Sequence, residues 1–256
     1  MDQTRLNQLV TMPIRHYTSI DSTNLAAKRL IASENITSPL ALVADEQTAG
    51  YGRHGRQYFS PKQVGIYLTL VWPITNLATL NPGQVTTSMA VAATESLATT
   101  LGIQVGIKWV NDLYYQHKKV AGILVELVPS AMDSTRGHLV IGIGLNINPT
   151  DYPQAIQHKA GALTDSMVDQ ELLVATLLSR FEAVFEQDSA VTMAAYRDYS
   201  LVINQEVELL IGKESVAGRV VDILADGGLL VETSLGPRTF YSGEITKLNM
   251  MGWVIS

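Results

Sequence analysis

Arginine and glycine are interleaved at Gly50-Tyr51-Gly52-Arg53-His54-Gly55-Arg56, in a chain otherwise sparing with arginine and carrying a net charge of −6. The arginine guanidinium is a planar fork of donors that fits a phosphate or carboxylate in bidentate fashion. Glycine admits backbone conformations closed to other residues and leaves no side chain to hold a ligand away. The combination suits a loop that wraps a small anion. It also suits a solvated linker or a nucleic-acid contact, so the loop by itself leaves the ligand open.

Other polar groups could share that work. Lys108 and Lys119 sit at strand ends on either side of Asn111-Asp112. Side chains alternate along a strand, so of Lys118 and Lys119 only one can face a common site. Asn146 interrupts an apolar run, where a buried amide must find partners or read a ligand edge. Ser22-Thr23-Asn24 stand at a helix start. N-capping is the reading that sequence alone favours there, and hydroxyls aimed into a pocket are the other. Taken singly, each of these residues has an ordinary role as a snorkelling lysine, a satisfied turn residue or a cap.

Several classes of chemistry drop out. The chain has no cysteine, which removes disulfides, thiolate metal sites and cysteine nucleophiles. His16, His54, His117, His138 and His158 are scattered, and no HExxH, Walker A or Ser/His/Asp pattern is present. The acidic balance is the reverse of what a nucleic-acid grip needs. Met1 to Arg15 lacks the apolar core of a signal peptide, and no apolar run approaches the roughly 20 residues of a membrane span. A soluble, cytoplasmic protein is expected.

The elements that must position these groups follow from periodicity. Leu40–Ala44, Val64–Trp72, Gly106–Val110, Leu113–Tyr115, Val120–Val128 and His138–Ile147 read as strands. Asn81-Pro82 opens a long helix whose Val85, Met89, Ala93, Leu97 and Leu101 recur along one face. Leu173, Leu177, Phe181 and Val184/Phe185 mark a second helix, and Pro149–Leu163 is a long irregular loop of functional character. The four strands from Gly106 to Ile147 have no helix between them. They predict an α+β fold with a largely antiparallel sheet and helices packed on one side. From about Val202 short apolar runs alternate with glycine turns, as in a small β-barrel. The expected units are 1–200 and 201–256.

In their order, Asp21-Ser-Thr-Asn24, Gln47-Thr-Ala-Gly-Tyr-Gly-Arg-His-Gly-Arg56, Lys108-Trp-Val-Asn-Asp112, Lys119-Val-Ala-Gly-Ile-Leu-Val-Glu126 and Gly142-Ile-Gly-Leu-Asn146 resemble the motifs of bacterial biotin–protein ligases. The likeness runs from about residue 16 to 148. Gly227-Gly228-Leu-Leu-Val and Ser242-Gly243-Glu244-Ile245 resemble the small SH3-like domain that ends those enzymes. The resemblance implies a class II synthetase-like mixed sheet and a two-step reaction. Biotin and ATP give biotinyl-5′-AMP, and biotin then passes to a lysine of a biotin carboxyl carrier domain. It implies that Ser22, Thr23, Asn24, Gln47, Gly50, Tyr51, Gly52, Arg53 and Lys119 bind biotin. Arg53, Arg56, Tyr58, Asn111, Lys119 and Asn146 would bind ATP or adenylate, with Lys119, Arg53 and Asp112 in catalysis and Asp112 holding Mg2+. Trp109 would pack against ligand or loop, or stand in the core.

Two positions depart from the family pattern. Tyr51 stands where arginine is usual, and Val110 where proline is frequent. Only about 20 residues precede Asp21, too few for the DNA-binding domain of ligases that double as repressors, so a monofunctional enzyme is expected, with a sheet edge as the place for a homodimer contact. The alternatives are a lipoate or octanoate ligase or transferase of related fold and a non-catalytic biotin sensor. Retention of Arg53, Arg56, Asp112 and Lys119 together favours the enzyme.

Overall fold

A computed structural model describes residues 1–250 and 253–255. Residues 251, 252 and 256 of the expected second unit lie outside the described residues. Seven strands form the larger sheet: β1 (Ile14–Tyr17), β2 (Leu40–Ala44), β3 (Gly65–Ile74), β4 (Gly106–Lys108), β5 (Asp112–Tyr115), β6 (Lys118–Pro129) and β7 (Gly137–Asn146). Their spatial order is β1-β2-β3-β7-β6-β5-β4. Only β1 and β2 run parallel; every other pairing is antiparallel. The fold is α+β, as the helix-free run of strands implied.

Alternation along β2 sorts the core into two layers. Ala41 and Val43 join Leu68, Leu70, Ile141 and Ile143 beneath α1 (Gln3–Leu9), α3 (Pro82–Leu101), α4 (Gln170–Val184) and α5 (Ser189–Tyr199). Leu40 and Leu42 join Val71 and Val140 on the other face, beneath Ala26 and Ala27 of α2 (Thr23–Ser33). The expectation that helices cover one side is therefore corrected. Both faces of β2 are apolar and need cover, and α2 supplies the second layer with small alanines that let it lie close. It spans only part of that face, leaving the neighbouring stretches of β6 and β7 open.

Helix α3 begins and ends by ordinary rules. The Asn81 side chain accepts from the Gln84 N–H at 3.1 Å, Pro82 fills the first turn, and Gly102 closes the helix at φ 67°. Met89, Ala93 and Leu97 of its predicted stripe are fully buried, each large one contributing about 1.5–3 kcal/mol of transfer free energy. Helices α1 and α5 and strand β1 were not anticipated. Helix α5 positions the site from behind: the hydroxyl of Tyr196 donates to the Val110 carbonyl at 3.0 Å, in the segment leading to Asn111 and Asp112.

The second sheet contains β8 (Glu206–Ile211), β9 (Glu214–Ile223), β10 (Leu229–Thr233), β11 (Gly236–Phe240), β12 (Glu244–Met250) and β13 (Trp253–Ile255), all antiparallel, in the order β11-β10-β9-β8-β12-β13. Its turns touch the first unit directly. Trp109 Nε1 donates to the Gly227 carbonyl at 3.0 Å, and Arg197 Nε donates to the Ile223 carbonyl at 2.8 Å. Trp109 is 4% exposed, so the core role holds although its edge reaches the cavity described next.

Candidate active site

The uncovered part of the sheet is the floor of a cavity of about 430 Å3. Gly122 pairs with Gly144, and Leu124 with Gly142, so three glycines of β6 and β7 are grouped there. A Cβ on Gly142 would come within 2.3 Å of Asn24 Oδ1, and one on Gly144 within 2.4 Å of the Tyr58 ring. Real contacts do not close to such distances. The missing side chains let Asn24 and Tyr58 lie flat across the strands.

One end of the cavity is a neutral wall of donors and acceptors. Ser22, Thr23 and Asn24 are 2, 3 and 5% exposed. Ser22 occupies the N-cap position of α2 yet makes no side-chain cap hydrogen bond, which corrects the capping expectation. Instead the Thr23 N–H and hydroxyl both donate to Gln47 Oε1, at 2.9 and 3.1 Å. The Thr69 hydroxyl lies 2.6 Å from Asn24 Oδ1, its acceptor, and Asn24 Nδ2 donates to Glu126 at 3.0 Å. Gln47 Nε2 donates to Ser60 Oγ at 3.1 Å.

The Gly50–Arg56 loop is a short hairpin. The Gly52 N–H donates to Arg56 O and the Tyr58 N–H to Gly50 O, both at 2.8 Å, around a tight turn at Arg53–Gly55. Gly50 is required by close approach, since a Cβ there would sit 2.5 Å from Ser60 Oγ and 2.9 Å from Gln47 Nε2. It supports the wall from behind; of the expected site residues it is the one that does not line the cavity. Tyr51 does line it, with its hydroxyl turned to Glu126 at 2.7 Å.

Cations gather at the other end. Lys119 Nζ meets Asp112 Oδ1 at 2.6 Å. Arg56 pairs with Glu244 at 2.5 Å, which raises the arginine above its ordinary value and holds the carboxyl below its own. Arg53 Nη1 donates to two neutral acceptors, Asn111 Oδ1 and the Gly243 carbonyl, both at 3.3 Å. Lys108, only 8% exposed, has its ammonium over the Tyr114 ring at 5.4 Å and makes no ion pair or hydrogen bond among the described residues. Burial pushes its pKa down, against an opposing pull from Asp112. Tyr58 donates to the Gly144 carbonyl at 2.8 Å and lies 3.3 Å from Asn146 Oδ1. Tyr152, Ile156 and Lys159 of the irregular 149–163 loop form a side wall. Lys118 turns away to the His158 carbonyl, as strand alternation required.

Some residues of the site escaped sequence reasoning. Thr69, Lys28 and Glu126 complete the neutral wall's support, and Gly243–Thr246 of the second unit roofs the cationic end. Glu126 carried a signal, a carboxylate inside an apolar strand, of the same kind that singled out Asn146. Glu244 carried none.

A site with uncharged hydrogen-bonding groups at one end and fixed cations at the other is built to hold a polar neutral ring against a phosphorylated partner, the arrangement of an enzyme that activates one substrate with a nucleotide. Residues 17–146 match the biotin/lipoate A/B protein ligase family, and residues 202–248 match the biotin protein ligase C-terminal domain. The chain belongs to the biotin/lipoate A/B protein ligase family, and its second segment is of the kind that ends biotin protein ligases. A biotin–[acetyl-CoA-carboxylase] ligase of Mycobacterium tuberculosis is 30% identical over 239 residues, 89% of this chain and 86% of that protein. The bifunctional ligase/repressor BirA of Escherichia coli is 30% identical over 89% of this chain and 71% of its own length. A biotin protein ligase from Aquifex aeolicus, solved in complex with biotin and ATP, superposes with a TM-score of 0.76 at 29% identity, covering 91% of this chain and 97% of that one.

Proposed function

We propose that this chain condenses biotin with ATP to biotinyl-5′-adenylate and pyrophosphate, then transfers the biotinyl group to a lysine of a biotin carboxyl carrier domain. The observation that carries this reading is a cavity that holds the neutral wall and the cation cluster together over a glycine floor. Ser22, Thr23, Asn24 and Gln47 fit the ureido ring, which offers one carbonyl and two N–H groups. The ring's valeryl tail then directs its carboxylate toward Lys119. That carboxylate oxygen attacks the α-phosphorus, the bond to the pyrophosphate oxygen breaks, and a mixed anhydride results.

Two anions must approach, and negative charge grows on the phosphoryl oxygens as they do. Lys119, Arg53 and Arg56 stand at the same end of the cavity, where cations oppose that growing charge. Asn146 and Tyr58 lie where the adenine edge would be read, and Asn111 holds Arg53 in place. Asp112 offers one carboxylate. Among the described residues no group of three or more His, Asp or Glu could hold a metal, so Mg2+ would enter with the ATP phosphates, which together with one carboxylate make an ordinary magnesium site. In the second step the acceptor amine attacks the biotinyl carbonyl and AMP leaves.

The test is pyrophosphate release from ATP with biotin, lipoate or octanoate offered singly, followed by transfer to a carrier domain. Release with biotin alone is expected. Release only with lipoate or octanoate assigns the other branch of the family, and tight biotin binding with no release assigns a sensor.

A further inference from the structure

Glu126 is not among the residues that line the cavity, yet three donors converge on its carboxylate. Tyr51 Oη donates at 2.7 Å, Lys28 Nζ at 2.7 Å and Asn24 Nδ2 at 3.0 Å. The Lys28 ammonium also sits over the Tyr51 ring, 5.5 Å from its centre. These residues come from three separate elements: the start of α2, the glycine–arginine loop and the middle of β6. One carboxylate ties them together.

We propose that Glu126 and Tyr51 are positioning residues for biotin, Glu126 by fixing the amide of Asn24 and Tyr51 by latching the loop to that same carboxylate. The inference rests on the assignment of the Asn24 end to the biotin ring. An ionised carboxylate only accepts, so the Asn24 amino group must turn toward it and the amide oxygen toward Thr69. This leaves the second amino hydrogen as the group Asn24 can offer a ligand, a donor suited to a urea carbonyl. Without Glu126 the amide could rotate and present either an oxygen or a nitrogen to the same place.

The charges agree with these roles. Burial pushes Glu126 up, but the bonds from Lys28, Tyr51 and Asn24 outweigh it and hold the carboxyl below its ordinary value. Burial, then the bond to Glu126, pushes Tyr51 up, so its hydroxyl keeps the proton it donates. An arginine at position 51 would bring a second cation beside Lys28. The tyrosine reaches the carboxylate while its ring accepts the lysine's field.

Glu126→Gln and Tyr51→Phe are nearly isosteric, and each removes one defined function. Each is expected to raise the biotin dissociation constant and biotin KM about tenfold, the loss of roughly one charge-assisted hydrogen bond's preorganisation. ATP KM should stay within about twofold of the parent. In an Asn24→Ala background, Glu126→Gln should change biotin affinity by less than about twofold, because its route through Asn24 is gone. Unchanged biotin affinity in the single variants, an equal rise in ATP KM, or a full additional loss in the Asn24→Ala background overturns the proposal. Should Glu126→Gln fold poorly by thermal melting, Tyr51→Phe, which leaves the ring in place, decides the latch alone. A parent chain that releases pyrophosphate only with lipoate or octanoate fails at the substrate assignment, before any variant is compared.

Discussion

Gly142 and Gly144 are two residues apart on the same face of β7, yet a methyl group added to each should disable a different substrate. In Gly142→Ala the new Cβ lies 2.3 Å from Asn24 Oδ1, where ordinary contact begins near 3.4 Å, so the amide must retreat by about 1 Å. Asn24 is buried and held by Thr69 at 2.6 Å and Glu126 at 3.0 Å, and that retreat breaks at least the shorter bond. Loss of one such bond, with the donor displaced from the ring, is worth about 1.4 kcal/mol, or tenfold in biotin affinity. In Gly144→Ala the Cβ meets the Tyr58 ring at 2.4 Å and its hydroxyl oxygen at 2.8 Å, so the ring must lift away from Asn146. Tyr58 loses its 2.8 Å bond to the Gly144 carbonyl, and the adenine end opens. Both substitutions overpack, at about 1–3 kcal/mol each, so both should lower Tm by several degrees. Steady-state pyrophosphate release, with biotin and ATP varied in turn, separates them: Gly142→Ala raises biotin KM about tenfold and Gly144→Ala raises ATP KM about tenfold. Equal effects on both constants, or effects assigned the other way round, would refute the division of the cavity into a ring end and a nucleotide end.

Lys119→Gln should slow adenylate formation by about 10²–10³-fold while biotin affinity changes by less than about threefold, because the lost cation acts mainly on charge that develops during reaction. Single-turnover pyrophosphate bursts and calorimetric titration measure the two quantities, and an unchanged burst rate removes Lys119 from its role. Lys108→Met should raise Tm by roughly 2–4 °C while slowing adenylation, since a buried unpaired ammonium costs the fold about 1 kcal/mol. Its folded pKa lies below 10.5, so the parent loses stability as pH falls from 10.5 toward that lowered value; the methionine variant should lack this slope, and an unaltered slope counts against the assignment.

The sequence carried the site's chemistry further than its architecture. Arg53, Lys119 and Asn146 were legible because each breaks a local pattern: cations in an acidic chain, or an amide in an apolar strand. Strand alternation allowed only one of Lys118 and Lys119 to face the site, and the family resemblance selected Lys119. Ser22, Thr23 and Asn24 were misjudged as a cap because capping is a local rule, while their partners Gln47, Thr69 and Glu126 lie 24, 45 and 102 positions from Thr23 or Asn24. The register of β3, β7 and β6 brings Thr69 and Glu126 near, and the bridge between Ile20 and Gln47 brings Gln47. The second helical layer was missed because α2 buries small alanines rather than a wide apolar stripe, and α5 because its stripe covers little more than Thr192, Met193 and Tyr196.

The pairing of the site's charges explains how an acidic protein presents cations at one end of the cavity. Lys119 and Arg56 each already hold a carboxylate, Asp112 and Glu244, so those two pairs add no net charge to the cavity. Arg53 bonds only to neutral oxygens, and neither Lys108 nor Lys159 of the side wall has an ion pair among the described residues, so the positive excess resides on these three groups. A phosphate oxygen reaching Lys119 or Arg56 replaces one anion with another, which conserves a charge-assisted hydrogen bond and keeps the exchange close to balanced. Reaching Arg53, Lys108 or Lys159 gains an ion pair outright, and the attraction is strongest at the buried Lys108. The paired cations therefore set geometry and the unpaired ones supply the pull. Glu244 comes from the second sheet, so the partner that must give way at Arg56 belongs to the unit that roofs the nucleotide end.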